Sequence, residues 1–324
     1  MADPEQMPRL QIGDREIRLP IIQGGMAVRL SLAPLAAAVT KAGGLGTIAG
    51  SGMHPPELAA EVRKARDATE GPLAVNVMVA VREFKELVHT AIREGIDILI
   101  AGAGFSRDMF EWCKKAAVEV VPVVGSARVA RLAERFGASA VVLEGTEAGG
   151  HLGTDRSVKE LLPEVLEAVD IPVIAAGGIV DGRDIREMIA SGAAGVQMGS
   201  RFLATEESSA PPAFKRMYVD ATDEDIITVR SPVGLTGRAI RNPFTEDLER
   251  GYIEPIETCR ACLKKCGKDY CIIDALERAQ EGDVESGLVF AGVSAARIHD
   301  VPSVAQLMER LALEYAQAVK EEAA

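Results

Sequence analysis

Eight short runs of apolar, β-prone residues punctuate the first two thirds of the chain, at residues 19–23, 45–49, 73–77, 96–101, 118–124, 140–143, 171–175 and 195–198. They recur at the spacing of one βα unit, roughly 20–30 residues. Within each run the apolar positions are continuous rather than alternating, as expected of strands covered on both faces. Amphipathic stretches at helical spacing lie between them, at 31–42, 56–68, 83–94, 107–117, 127–136, 159–169 and 182–191. Eight parallel strands with intervening helices predict an α/β fold, a (β/α)8 TIM barrel spanning residues 1–204. The alternative is an open doubly wound sheet, which normally has fewer strands and a Gly-rich turn after the first.

Beyond Met198 the rhythm is lost. Residues 205–258 mix polar, Pro and β-type positions without a steady period, 273–281 read as helix, and 304–322 form a long amphipathic stretch. The pattern predicts a lid or small appended domain at 205–285. A C-terminal segment at 286–324 would follow, its helix packing back on the barrel.

Composition narrows the function. With 48% apolar and 26% charged residues, the chain can bury a large core, which excludes wholesale disorder. A net charge of −12 argues against broad nucleic-acid binding. The first residues are polar, with Pro4 and Pro8, and show no signal-peptide pattern. No apolar run reaches membrane-spanning length without a charge or a Gly/Pro break. A cytoplasmic protein with no membrane partner is expected.

Glycines gather at the ends of the predicted strands: Gly24-Gly25, Gly50, Gly102, Gly149-Gly150, Gly177-Gly178 and Gly199. One such pair is an ordinary turn. Six of eight strand ends imply backbone N–H groups meeting a ligand at the carboxyl face of the barrel. The loops after strands seven and eight are the usual phosphate site of this fold, which places Gly177, Gly178, Gly199 and Ser200 there. His151 follows a glycine pair at the same face, where an imidazole can take or give a proton.

Gln23-Gly24-Gly25-Met26, Asn76-Val77-Met78, the run from Glu144 to His151, Ala176-Gly177-Gly178-Ile179 and Gln197-Met198-Gly199-Ser200 resemble the nitronate monooxygenase (2-nitropropane dioxygenase) family. That family includes the FMN-dependent enoyl-acyl-carrier-protein reductases of the FabK type. The resemblance covers about residues 15–240 and implies an FMN-bearing barrel. It sets Gly25 and Met26 against the flavin ring, lets Asn76 hydrogen-bond FMN, and lines the ring with the loop from Glu144 to Gly149. Gly177, Gly178, Gly199 and Ser200 would hold the phosphate, and His151 would be the catalytic acid or base beside the substrate. Many nitronate monooxygenases carry Gln where this chain has Glu144, and Glu is similar to the enoyl reductases. The Gly104-Phe105-Ser106 loop also departs from the family pattern.

Two chemistries follow from the resemblance. Oxidation of an alkyl nitronate with oxygen leads on family breadth. NAD(P)H-dependent reduction of an enoyl thioester, on acyl carrier protein or a similar carrier, is the alternative, with NADH or NADPH as co-substrate. A non-redox phosphate-binding barrel is the lesser one. A homodimer is the assembly expected should the chain self-associate.

Four of the five cysteines fall at Cys259, Cys262, Cys266 and Cys271, among basic neighbours that would lower thiol pKa values. Four thiols at this spacing suit a zinc ion or an iron–sulfur cluster, and the spacing does not choose between them. Reduced thiols or a redox disulfide are the alternative.

Overall fold

In the computed structural model, which describes residues 7–252, 255–256 and 258–323, the eight apolar runs are parallel strands of one sheet. These are β3 (Ile21–Gln23), β4 (Gly46–Ala49), β5 (Leu73–Met78), β6 (Ile98–Gly102), β7 (Glu119–Val124), β8 (Val141–Glu144), β10 (Val173–Ala176) and β11 (Gly195–Met198). The order is β3-β11-β10-β8-β7-β6-β5-β4. A parallel bridge between Ile22 and Leu45 joins the two ends. The Gln23 N–H donates to the Leu45 carbonyl at 3.0 Å, and the Leu45 N–H donates to Ile21 at 2.9 Å. The sheet therefore closes into a barrel.

Strand alternation sorts the side chains. Ile22, Leu45, Ala74, Ile98, Ile100, Val121, Val142 and Ile174 fill the interior. Val75, Leu99, Val141, Val173 and Val196 pack outward under the helices. A hairpin the sequence did not reveal, β1 (Leu10–Ile12) and β2 (Arg15–Ile17), adds Leu10, Ile12 and Ile17 to the same interior cluster.

Seven helices alternate with the strands: α1 (Ala33–Lys41), α2 (Pro55–Ala68), α3 (Phe84–Arg93), α4 (Arg107–Lys115), α5 (Ala127–Arg135), α6 (Val158–Leu166) and α7 (Gly182–Ala190). After β11 comes α8 (Ser200–Leu203), a single turn. The outer ring is completed by α12 (Val304–Glu322), which packs against both α7 and α1. The Gly182 N–H donates to Glu314 at 2.8 Å across the α7 contact. The eighth barrel helix is thus supplied from about a hundred residues downstream of the eighth strand.

The intervening residues build a second layer over the carboxyl end. It contains α9 (Pro212–Asp220), strands β12 (Ile226–Arg230) and β13 (Thr236–Ile240), α10 (Pro243–Arg250) and α11 (Ile272–Glu281). Strand β9 (Gly150–His151) leaves the barrel loop and pairs antiparallel with β13, His151 opposite Gly237. A separate apolar cluster of Leu30, Leu203, Phe214, Tyr218, Val289 and Ile298 holds this layer down.

Candidate active site at the carboxyl end of the barrel

Following the inward-facing alternation toward the strand ends leads from aliphatic to polar residues. Beyond Ala74 comes Asn76, beyond Val142 comes Glu144, and Gln197 sits between Val196 and Met198, both of which face the outer core. Among the described residues, the half-buried Asn76 and Glu144 side chains have no hydrogen-bond partner, and Gln197 Oε1 is fully buried without one. Buried polar atoms are normally paired, so the Gln197 oxygen, with two further unpartnered polar groups in its layer, marks a candidate place for a polar ligand. Small residues back them. Gly25 lies so close that a Cβ there would stand 2.4 Å from the Asn76 Cβ, while the corresponding atom at Gly102 would be 3.9 Å from the Asn76 Nδ2. Burial raises the Glu144 carboxyl to about 7.

Next to this layer are the turns after β10 and β11. Gly177 and Gly178 have φ of +112° and +76°, which side chains other than glycine rarely adopt, and they turn successive N–H groups away from the ladder. Among the described residues, the N–H groups of Gly177, Gly178, Gly199 and Ser200 make no main-chain hydrogen bond. A Cβ at Gly199 would meet nothing nearer than the Met26 side chain at 3.9 Å, so Met26 and Gly199 border the same open space. The Ser200 hydroxyl accepts from the Gly292 N–H at 3.0 Å, which leaves its own proton to donate. An anion here would be met by main-chain amides together with that hydroxyl.

His151 stands on β9, its ring edge-on to Phe290 at 5.1 Å and its Nε2 at 2.7 Å from the Ser231 hydroxyl. Burial lowers its pKa to about 4, so the ring is neutral near pH 7. The same loop contains Gly149, packed so tightly on the backbone of Ala291 and Gly292 that a Cβ would approach within 2.6 Å.

A family model described as nitronate monooxygenase matches residues 10–314, nearly the whole barrel and lid. The chain belongs to the nitronate monooxygenase family. It is an oxidoreductase. The chain is similar to three proteins of different described activities. One is (3aS,4S,5R,7aS)-5-hydroxy-7a-methyl-1-oxo-octahydro-1H-indene-4-carboxyl-CoA dehydrogenase of Mycobacterium tuberculosis, 33% identical over 92% of this chain and 93% of that one. The structure of FabK from Thermotoga maritima is 34% identical with a TM-score of 0.84, covering 95% of this chain and 96% of that one. Nitroalkane oxidase from Streptomyces ansochromogenes is 27% identical with a TM-score of 0.82, covering 94% and 98%.

The four cysteines are free thiols, Cys259 and Cys266 exposed, Cys262 and Cys271 half-buried. Among the described residues no three His, Cys, Asp or Glu side chains are placed to hold a metal ion. The zinc or iron–sulfur site expected at Cys259, Cys262, Cys266 and Cys271 is therefore not supported. The segment is organised by backbone pairing instead of around a ligand. Val81 and Leu263 form an antiparallel bridge, the Arg82 N–H donates to Cys262, and the Lys264 N–H donates to Ala80 at 2.9 Å. The segment is thereby clasped to the loop that follows Asn76 and β5.

Sequence reasoning missed several residues at this face. Gln197 lies within the Gln197-Met198-Gly199-Ser200 motif, and a Gln inside an otherwise apolar buried strand is itself a signal. Gly292 and Ser294 meet the turns after β10 and β11 from the C-terminal segment, Ser294 donating to the Gly178 carbonyl at 2.7 Å. No local pattern announces such a return. Glu147 is occupied elsewhere: its carboxylate accepts from the Val158 N–H at 3.1 Å, at the start of α6.

Proposed function

We propose that this protein is a cytoplasmic, FMN-dependent oxidoreductase that reduces the double bond of an α,β-unsaturated acyl thioester, with NADH or NADPH as the electron source. The residues fit the cofactor. The four unpaired N–H groups suit its phosphate, and the orphaned Asn76, Glu144 and Gln197 groups suit the polar edge of a flat ring. Bound FMN would supply the two-electron transfer between nicotinamide and the substrate's β carbon.

The observation that carries the reading is the Glu144 carboxyl, half-buried, without a hydrogen-bond partner among the described residues, and raised to about 7. Hydride addition at the β carbon leaves negative charge on the α carbon and thioester oxygen, and a proton must follow to the α carbon. A carboxyl still half-protonated at neutral pH is a competent donor, with pKa matched to the working pH. A nitronate arrives already anionic and needs no such proton, and a buried carboxylate would repel it. His151, neutral and held by Ser231, would orient the thioester and pass protons between Glu144 and solvent. The similarity to a carboxyl-CoA dehydrogenase and to FabK supports a thioester substrate, carried on coenzyme A or acyl carrier protein.

Nitronate oxidation is the second reading, favoured by the family match and the likeness to nitroalkane oxidase. Anaerobic stopped-flow mixing of the FMN-loaded protein separates the two. NADH or NADPH should bleach the flavin, and crotonyl-CoA or a longer enoyl-CoA should restore its colour. Bleaching by an alkyl nitronate alone would overturn the thioester reading.

A further inference from the structure

The segment clasped to the loop after β5 also reaches the turn that holds His151. At one end, Val81 and Leu263 form an antiparallel bridge, and the Lys264 Nζ donates to the Val79 carbonyl at 2.6 Å. At the other, the Gly267 N–H donates to the Pro232 carbonyl at 2.6 Å, and the Tyr270 phenol donates to the Arg230 carbonyl at 3.0 Å. Arg230 and Pro232 flank Ser231, whose hydroxyl lies 2.7 Å from the His151 Nε2. Residues 263–270 therefore form a strap from the loop beyond Asn76 to the residues beside His151.

The strap is basic. Lys264, Lys265 and Lys268 stand against a single carboxylate, Asp269, and Arg230 adds a fourth cation where the strap docks. All four cations are exposed. Among the described residues, the Lys265, Lys268 and Arg230 side chains form no ion pair or hydrogen bond. In a chain of net charge −12, uncompensated cations at the face that carries the site run against the overall balance and favour an anion there. Lys268 also has a φ of +62°, a conformation that suits glycine better, yet the position holds a cation.

We propose that Lys265, Lys268 and Arg230 bind the phosphates at the nucleotide end of a coenzyme A thioester whose acyl end lies at Glu144 and His151. The inference rests on the thioester reading and narrows it to one carrier. Coenzyme A holds its acyl group on a long pantetheine arm that ends in several phosphates, so a compact group of cations set apart from the reacting atoms suits it. An acidic carrier protein would instead cover a broad area. The groove beside the strap, with Tyr270 and Cys271 in its wall, has six carboxylates against two arginines among the described residues, and it would repel such a surface.

The FMN-loaded enzyme can be assayed with one enoyl group carried on coenzyme A, on pantetheine and on acyl carrier protein. KM should be at least about tenfold lower for the coenzyme A thioester than for the pantetheine thioester, with similar kcat, because the phosphates supply binding and not chemistry. Lys265→Glu combined with Lys268→Glu should close that gap, and the corresponding pair of Gln substitutions should narrow it. Equal KM values in the wild type overturn the proposal, as does an undiminished gap in the double Glu variant. A lower KM on acyl carrier protein than on coenzyme A overturns the choice of carrier. A raised KM for NADPH in the double Glu variant, with that for enoyl-CoA unchanged, overturns it by assigning the cations to the nicotinamide nucleotide. Titration calorimetry with coenzyme A alone needs no turnover: binding should weaken about tenfold in the double Glu variant and fall with added salt. If no thioester is reduced, the proposed function falls, while the titration still decides whether these cations hold coenzyme A.

Discussion

The Cβ that Gly25 lacks would stand 2.4 Å from the Cβ of Asn76, which places the turn after β3 in direct contact with the end of β5. Real carbon atoms do not approach so closely, so Gly25→Ala must displace either the turn or the Asn76 side chain. Overpacking of this kind costs about 1–3 kcal/mol. The variant should melt earlier than wild type. It should also bind FMN at least about tenfold more weakly, as measured by flavin fluorescence titration. Wild-type FMN affinity would show that Asn76 does not contact the cofactor.

Gly199 gives the opposite kind of test. Its missing Cβ would meet only Met26, at 3.9 Å, so a larger side chain has room in the ligand-free fold. Gly199→Val should retain the wild-type melting temperature without flavin, yet purify colourless. Full flavin occupancy would mean that the phosphate lies elsewhere.

Glu144 should leave a signature in stability as well as rate. Its folded pKa of about 7 lies above the ordinary 4.5, so between those pH values the folded state holds more protons than the unfolded one. Stability then falls as pH rises through that window, by about 1–3 kcal/mol in the flavin-free protein. Glu144→Gln removes the titration. It should match wild type near pH 4 and exceed it at pH 8 in thermal melts. Its turnover should fall about 10²-fold, as expected for loss of a proton donor. A wild-type rate would remove Glu144 from the chemistry.

Removing the imidazole bears on the same chemistry from the other side. His151→Ala should cut turnover by about 10²-fold if the ring handles a proton in the reaction. Steady-state kinetics with the substrate identified by stopped flow checks this, and an unchanged kcat refutes it.

The thiols should divide by burial. Cys259 and Cys266 are exposed, whereas Cys113 is fully buried and its pKa is pushed up to about 12. A chromogenic disulfide reagent should titrate Cys259 and Cys266 rapidly in the native protein and Cys113 after unfolding. Slow reaction of both exposed thiols would indicate that they are held as ligands after all.

Much of this protein was legible from local pattern alone. Buried parallel strands must be continuously apolar, so the eight runs declared the barrel, and the left-handed turns at Gly177 and Gly178 require glycine, so the sequence could point to them. What only the tertiary structure decided depends on chain return, which carries no local signature. It brought α12 round to the eighth helix position, Gly292 and Ser294 to the turns after β10 and β11, and Ser231 to His151. It also changed the meaning of the cysteines. Their spacing suggested a metal, but among the described residues the segment is held by hydrogen bonds to residues 80–82. Spacing in sequence states which groups could converge; the packing of distant segments determines which of them do.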